Sequence, residues 1–325
     1  MLTIYDAADN ALIKREGAES TSERTVWIDL YNPTKEEDVL VERVLSVAIP
    51  TREEMAEIEA SSRLYQEGGG HYMTAVVLHQ PDVAGEPPIA TPVTFILAGT
   101  RLVTVRYSEP RAFKLFISRA QKKDAACMSG VAVLVGLLES VIDREADRVE
   151  RTQGEVDKLA QNIFRGKGGD RSRTLRFDVN IREIGREGDL TSRSRECLLS
   201  LGRLLTYLGH VMVERGDDKQ LKARVKTANR DVQSLADHIG YLSTKITFLL
   251  DATLGMINNQ QNTIIKTFSV LAVALMPPTL VGTIYGMNFR HMPELNWEYG
   301  YPMAIGLMVL SAVVPWIYFK RKGWL

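Results

Sequence analysis

From Thr267 to Phe289 the chain carries no charged side chain, and the run from Tyr299 to Phe319 is uncharged as well. A helix rises about 1.5 Å per residue, so the first run is long enough to cross a hydrocarbon core of about 30 Å, and the second is only slightly shorter. A short loop holding Arg290, His291, Glu294 and Glu298 separates them, and Lys320-Arg321-Lys322 closes the second. Two such runs in a soluble protein would have to be buried core helices. Their length and the basic stop favour a transmembrane hairpin. Lys266 before the first span and the basic cluster after the second place both termini on the cytoplasmic side.

The remainder is polar enough to bring the mean hydropathy close to zero, and 40 basic residues balance 40 acidic ones. Such a balance supplies no basic patch for a nucleic acid, and no nucleic-acid partner is expected. The opening MLTIYDAADN lacks a basic-then-apolar signal segment. Cys127 and Cys197 stand far apart in sequence, which supports neither a disulfide framework nor a zinc site. The five histidines show no His-Glu-x-x-His spacing, and there is no Gly-rich phosphate loop or nucleophile motif, so no enzyme is expected.

Residues 1–124 read as an α/β or α+β cytosolic domain with at least partly antiparallel pairing. Val26–Leu30 is a strand, Lys35–Val47 an amphipathic helix after the Asn32-Pro33-Thr34 turn, and His71–Leu78 a strand after Gly68-Gly69-Gly70. Val93–Leu97 and Leu102–Arg106 form a hairpin across Gly99-Thr100.

Residues 125–216 turn helical. Val131, Leu134, Val135, Leu138, Val141 and Ile142 recur at helical spacing and grade into a charged segment. Its acids, Glu139, Asp143, Glu145, Asp147, Glu150, Glu155 and Asp157, interleave with Arg144, Arg148, Arg151 and Lys158. They read as a solvated face held by pairs such as Asp147 with Arg151, or alternatively as a cation-attracting surface. Residues 166–169 (GKGG) break this helix, and Gly216-Asp217-Asp218 ends a second, so long antiparallel helices are implied. A third, over 217–288, has no proline before Pro277 and is expected to run as a stalk into the first span. The loop then covers 289–298, the second span 299–319 and a basic cytosolic tail 320–325.

At helical spacing back from the membrane, Thr283, Thr279, Met276, Ala272, Ser269, Ile265, Asn262, Asn258 and Asp251 fall on one stripe. The amides Asn258, Asn259, Gln260, Gln261 and Asn262 crowd its cytosolic end. Side-chain amides at a membrane boundary call for water, yet a lone hairpin has no interior to hold any. A ring of copies around a common axis meets that demand, with the second span outside. A simple anchor would need neither the amides nor Pro277-Pro278 in mid-span, where two amide donors are lost.

Tyr285-Gly286-Met287-Asn288-Phe289, Met292-Pro293-Glu294-Leu295, Gly300-Tyr301-Pro302 and the closing KRKGWL resemble the CorA family of divalent-cation channels. Trp27-Ile28-Asp29-Leu30, the segment PTREE at 50–54 and the stalk around Asp251 extend the resemblance over most of the chain. It implies a funnel-shaped homopentamer in a bacterial inner membrane, with an α+β cytosolic domain followed by long antiparallel helices and the transmembrane hairpin. It further implies an outer mouth at Gly286, Met287 and Asn288, pore-lining Thr279 and Met276, and a neck at Asn262 and Asp251. Of the hydrophobic gate only Ile265 and Phe268 are placed. Asp231 and Asp237 are stalk candidates for the family's regulatory metal sites.

Mg²⁺ sheds water reluctantly, and amide oxygens on Asn288 accept hydrogen bonds from a hydrated ion without trapping it. Zn²⁺ would favour the His, Cys or carboxylate ligands that the spans lack. Glu294 and Glu298, repeated around a ring, would raise the cation concentration at the mouth. The expected activity is passive, potential-driven influx of hydrated Mg²⁺, with Co²⁺ and Ni²⁺ as secondary substrates and intracellular Mg²⁺ as regulatory ligand. A zinc transporter of the same superfamily and a non-conducting membrane scaffold are the alternatives.

Overall fold

The computed structural model describes residues 1–8, 11–16, 21–57, 59–81, 86–122, 127–165, 170–288, 293 and 297–323, and the side chains of all of these except 16, 60, 165 and 170–176. The expected Gly166–Gly169 break and Glu294 lie outside the described residues. The chain divides into two units, one of Met1–Gly168 with Asp178–Leu249 and one of Gly169–Phe177 with Leu250–Leu325.

The first unit is built on a seven-stranded sheet. Its strands are β1 (Leu2–Ala8), β2 (Ala11–Glu16), β3 (Thr25–Tyr31), β4 (Leu64–Glu67), β5 (Gly70–His79), β6 (Ile89–Ala98) and β7 (Arg101–Arg106), in the order β2-β1-β3-β7-β6-β5-β4. β3 and β7 pair in parallel with Asp29 opposite Thr104, and the other neighbours are antiparallel. All four expected strands are therefore present, as β3, β5, β6 and β7, while β1, β2 and β4 are additions.

Alternation along the central strands separates two cores. Trp27, Met73, Val93, Phe95, Leu97 and Leu102 face one side, where α4 (Arg111–Ala120) and α5 (Gly130–Arg165) pack. Ile28, Leu30, Tyr72, Ile96, Val103 and Val105 face the other, against α1 (Lys35–Leu45) and α2 (Arg52–Met55); the one-turn α3 (Ala60–Arg63) leads into β4. Gly130 starts α5 against β7: a Cβ there would stand 2.5 Å from the Leu102 amide nitrogen, so only glycine permits this approach.

Val131, Leu134, Val135, Leu138, Val141 and Ile142 are all buried, as their spacing predicts. α6 (Asp170–Glu214) returns from α5, and α7 (Lys219–Tyr285) follows it. Within the first unit α5 and α7 run parallel. Arg224 donates to Glu139 at 2.6 and 2.9 Å, the His238 ring lies 3.0 Å from the Gln153 side-chain oxygen, Lys245 donates to Asp157, and the Phe164 and Phe248 rings stack at 6.1 Å. Hydrogen bonding to Glu139 pushes the Arg224 pKa up, and hydrogen bonding to Asp157 does the same for Lys245.

The charged face of α5 is corrected in one respect. Asp147 takes Arg144 at 3.4 Å, three residues back, rather than Arg151; Glu145 takes Arg148 and Glu155 takes Lys158 at 2.8 Å. Among the described residues no group of three or more His, Cys, Asp or Glu side chains is arranged to hold a metal ion.

The second unit contains α7 from Leu250 onward and α8 (Gly300–Arg321). Both helices are long and apolar enough to cross a membrane, and only 6% of the most apolar window of each is buried. Pro277 and Pro278 lie inside a continuous α7.

Candidate functional site

Covalent chemistry dictates the first property of α7 in the second unit. Pro277 and Pro278 have no amide hydrogen to give the carbonyls of Val273 and Ala274, one turn earlier. Just C-terminal to this gap, threonines bond to the backbone: Thr279 Oγ1 donates to the Leu275 carbonyl and Thr283 Oγ1 to that of Thr279, both at 2.8 Å. With its proton directed inward, each hydroxyl retains lone pairs as an outward acceptor.

One side of this helix is covered. Val270 is buried, and Ala274, Pro278, Val281, Gly282 and Tyr285 are half-buried. At Gly282 a Cβ would come within 3.3 Å of the Met308 methyl of α8, so this is where the two helices meet.

The stripe is elsewhere on the helix. Asp251, Asn258, Asn262, Ile265, Ser269, Ala272, Met276, Thr279 and Thr283 are all exposed, Ile265 at 61% and Met276 at 69%. At about 100° per residue its centre lies roughly half a turn from the α8 side. The polar stripe and the partner helix thus occupy opposite faces. Phe268, 67% exposed, sits on the shoulder beside Ile265.

Gly286, Met287 and Asn288 follow the helix end. Gly286 N–H bonds the Gly282 carbonyl at 3.0 Å and Met287 N–H that of Ile284 at 3.2 Å, after which Asn288 is exposed and outside regular structure. A Cβ on Gly286 would stand 3.0 Å from the Gly282 carbonyl oxygen, a backbone atom that cannot easily yield. Glu298 is exposed between Trp297 and Tyr299.

Aromatic residues sit at both ends of α8, a pattern of membrane interfaces. Trp297, Tyr299 and Tyr301 are exposed at one end; at the other, Lys320 lies over the Trp316 ring at 5.0 Å and Lys322 over Tyr318 at 5.3 Å. No local pattern of charge or motif singles out this double girdle, although Trp297, Trp316 and the tyrosines beside the spans carry its signal.

Asp231 and Asp237 are in the first unit, both exposed on α7. Asp231 lines a cavity of about 420 Å³ with Glu139, Asp143 and Arg224. Asp237 is not part of it, so the structure does not bring the two together there.

An α+β body, a very long helix and an apolar helix pair that turns a polar stripe away from its own partner define a class of transmembrane protein. A family model described as CorA-like Mg²⁺ transporter protein matches residues 22–321, and the chain belongs to that family. The magnesium transport protein CorA of Yersinia pseudotuberculosis is 35% identical over 328 aligned positions, covering 100% of both chains. That of Salmonella typhimurium is 36% identical with the same coverage. The complete structure of the CorA magnesium transporter from Methanocaldococcus jannaschii shares the fold, with a TM-score of 0.76, 17% identity and coverage of 100% and 99%. The ZntB cytoplasmic domain from Vibrio parahaemolyticus also shares it, with a TM-score of 0.57 and 8% identity over 79% of this chain and 98% of that one.

Proposed function

We propose that this chain forms a ring of five copies in the inner membrane and conducts hydrated Mg²⁺ inward, passively, along the axis lined by α7. The observation that carries this reading is the exposed stripe from Asp251 to Thr283, opposite the α8 side and ending at Gly286-Met287-Asn288. Full-length identity to magnesium transport proteins of other bacteria supports Mg²⁺ as the substrate.

In this reading a ring of Asn288 side chains receives the hydrated ion, and Glu298 and Glu294 concentrate cations at the mouth. Thr283 and Thr279 offer acceptor oxygens to the ion's water. Met276 and Ile265 narrow the path, and Asn262, Asn258 and Asp251 rehydrate the exit. Strongly hydrated Co²⁺ and Ni²⁺ would follow the same path.

The driving force is electrical. At about 2.3 kcal/mol per charge per 100 mV, a divalent ion gains about 4.6 kcal/mol, over three decades in concentration. Such influx overshoots unless gated. Internal Mg²⁺ between carboxylates of neighbouring subunits, with Asp231 and Asp237 as ligands, would hold α7 in the closed arrangement. Both termini are then cytoplasmic, in keeping with Lys320, Arg321 and Lys322 at the end of α8.

A second reading, zinc transport, is favoured by the fold shared with the ZntB domain. Proteoliposomes under an inside-negative potential separate the two. Mg²⁺ uptake that collapses in Asn288→Ala with assembly intact supports the channel; no Mg²⁺ uptake alongside proton-dependent Zn²⁺ flux would replace it.

A further inference from the structure

A cavity of about 270 Å³ lies in the first unit beside the end of β5, the start of α4 and the middle of α5. It is lined by Leu78, Gln80, Arg111, Arg144, Arg148 and Arg151. Four of the six lining residues are arginines, and no carboxylate lines it among the described residues.

The charge there is incompletely neutralised. Arg144 is held by Asp147 and Arg148 by Glu145, both carboxylates of α5. Arg111 and Arg151 have no ion-pair partner among the described residues. The nearby Glu109 is held by Lys114 at 2.7 Å and Glu155 by Lys158. Gln80 donates one of its two amide hydrogens to the Glu86 carbonyl at 2.9 Å. Arg111 is also the first residue of α4, whose N-cap Pro110 makes no side-chain capping bond, so the positive end of that helix adds to the field.

Geometry narrows the anion. Arg144, Arg148 and Arg151 share one face of α5 over about 10 Å of helix, longer than one tetrahedral group can span. A cavity of about 270 Å³ has room for more than one phosphoryl group but lies below the usual range for a whole drug-sized ligand. The guanidinium fork matches phosphate oxygens in pairs. We propose that this cavity binds a compact polyphosphate, either inorganic or the phosphate tail of a nucleotide whose base stays outside. The inference does not depend on which ion the chain transports.

The test is calorimetric titration of the full chain in detergent, in buffer freed of divalent ions and at constant ionic strength. Tripolyphosphate, ATP, sulfate and citrate are the probes. Saturable tripolyphosphate binding is expected, stronger than that of sulfate or citrate, and weakened about tenfold in each of Arg111→Gln and Arg151→Gln, the ratio carried by one charge-assisted hydrogen bond. Both arginines are exposed and have no ion-pair partner among the described residues, so unchanged thermal unfolding of the unliganded variants is the control for folding. ATP binding as tightly as tripolyphosphate assigns the nucleotide source, and ATP binding far more weakly assigns the inorganic one. Absence of saturable binding, equal or tighter binding of sulfate or citrate, or full affinity in the double variant overturns the proposal.

Discussion

At the centre of the sheet Arg106 grips Asp29 through both carboxylate oxygens, at 3.0 and 2.8 Å, with the side chains only 6% and 4% exposed. Thr104 donates to the same carboxylate at 2.7 Å and receives the Trp27 indole N–H at 2.9 Å. Removing one partner strands a buried charge, so Asp29→Ala should lower stability by about 3–5 kcal/mol, measured by denaturant unfolding of the full chain. A loss under 1 kcal/mol would show that water reaches Arg106. Strand β3 is legible in Val26–Leu30, but the partner of Asp29 lies 77 residues away and no local pattern announces it.

Glu145 behaves differently. Burial pushes its carboxyl above the ordinary value of 4.5, against the opposing pull of Arg148 and of hydrogen bonds with Cys197 and Ser194. The folded state therefore favours the protonated form. That stabilisation is complete below about pH 4.5 and is lost as pH rises through the raised folded value. Glu145→Gln should thus gain stability relative to wild type as pH rises from 4.5 toward 7. A difference independent of pH would remove burial as the cause. At Gly286, Gly286→Ala would drive a methyl against the Gly282 carbonyl, and ion uptake should fall while assembly persists.

On the scale of elements, α1 begins with a reciprocal cap. Thr34 Oγ1 accepts from Glu37 N–H at 3.4 Å and the Glu37 carboxylate accepts from Thr34 N–H at 2.9 Å. Thr34→Ala should cost about 1 kcal/mol in the same unfolding measurement, and no change would mean that tertiary packing alone fixes this end. The Asn32-Pro33-Thr34 signal located that start because capping is local chemistry. Helix α5 was likewise readable from periodicity, and the boundary between α6 and α7 from the break at Gly216. Strands β2 and β4 were not: both are edge strands, Ala11–Glu16 and Leu64–Glu67, and an edge buries too little to impose alternation. The pairing of Asp147 with Arg144 instead of Arg151 also escaped prediction, since three and four residues are equally close on a helix. That choice leaves Arg151 for the cavity.

For the whole molecule, the stripe on α7 is exposed and turned away from α8 among the described residues, and the ring of copies proposed here rests on it and on the amides at 258–262. The proposed number five rests on the family resemblance alone, because symmetry leaves no trace in a single sequence. If internal Mg²⁺ closes the ring, raising it should suppress uptake in wild type, and Asp231→Ala with Asp237→Ala should shift suppression to higher Mg²⁺. Suppression at unchanged concentration would move the sensor elsewhere.

If the stripe on α7 lines the ion path, a thiol placed on it is wetted. The measurement is Mg²⁺ uptake by Thr279→Cys treated with a membrane-impermeant thiol reagent. Leu310→Cys on the exposed face of α8 is the control, and the buried Cys127 and Cys197 keep the parent protein unreactive. Uptake by the Thr279 variant should be blocked while that by the Leu310 variant continues. Block at Leu310 with Thr279 unaffected would take the ion path away from the stripe.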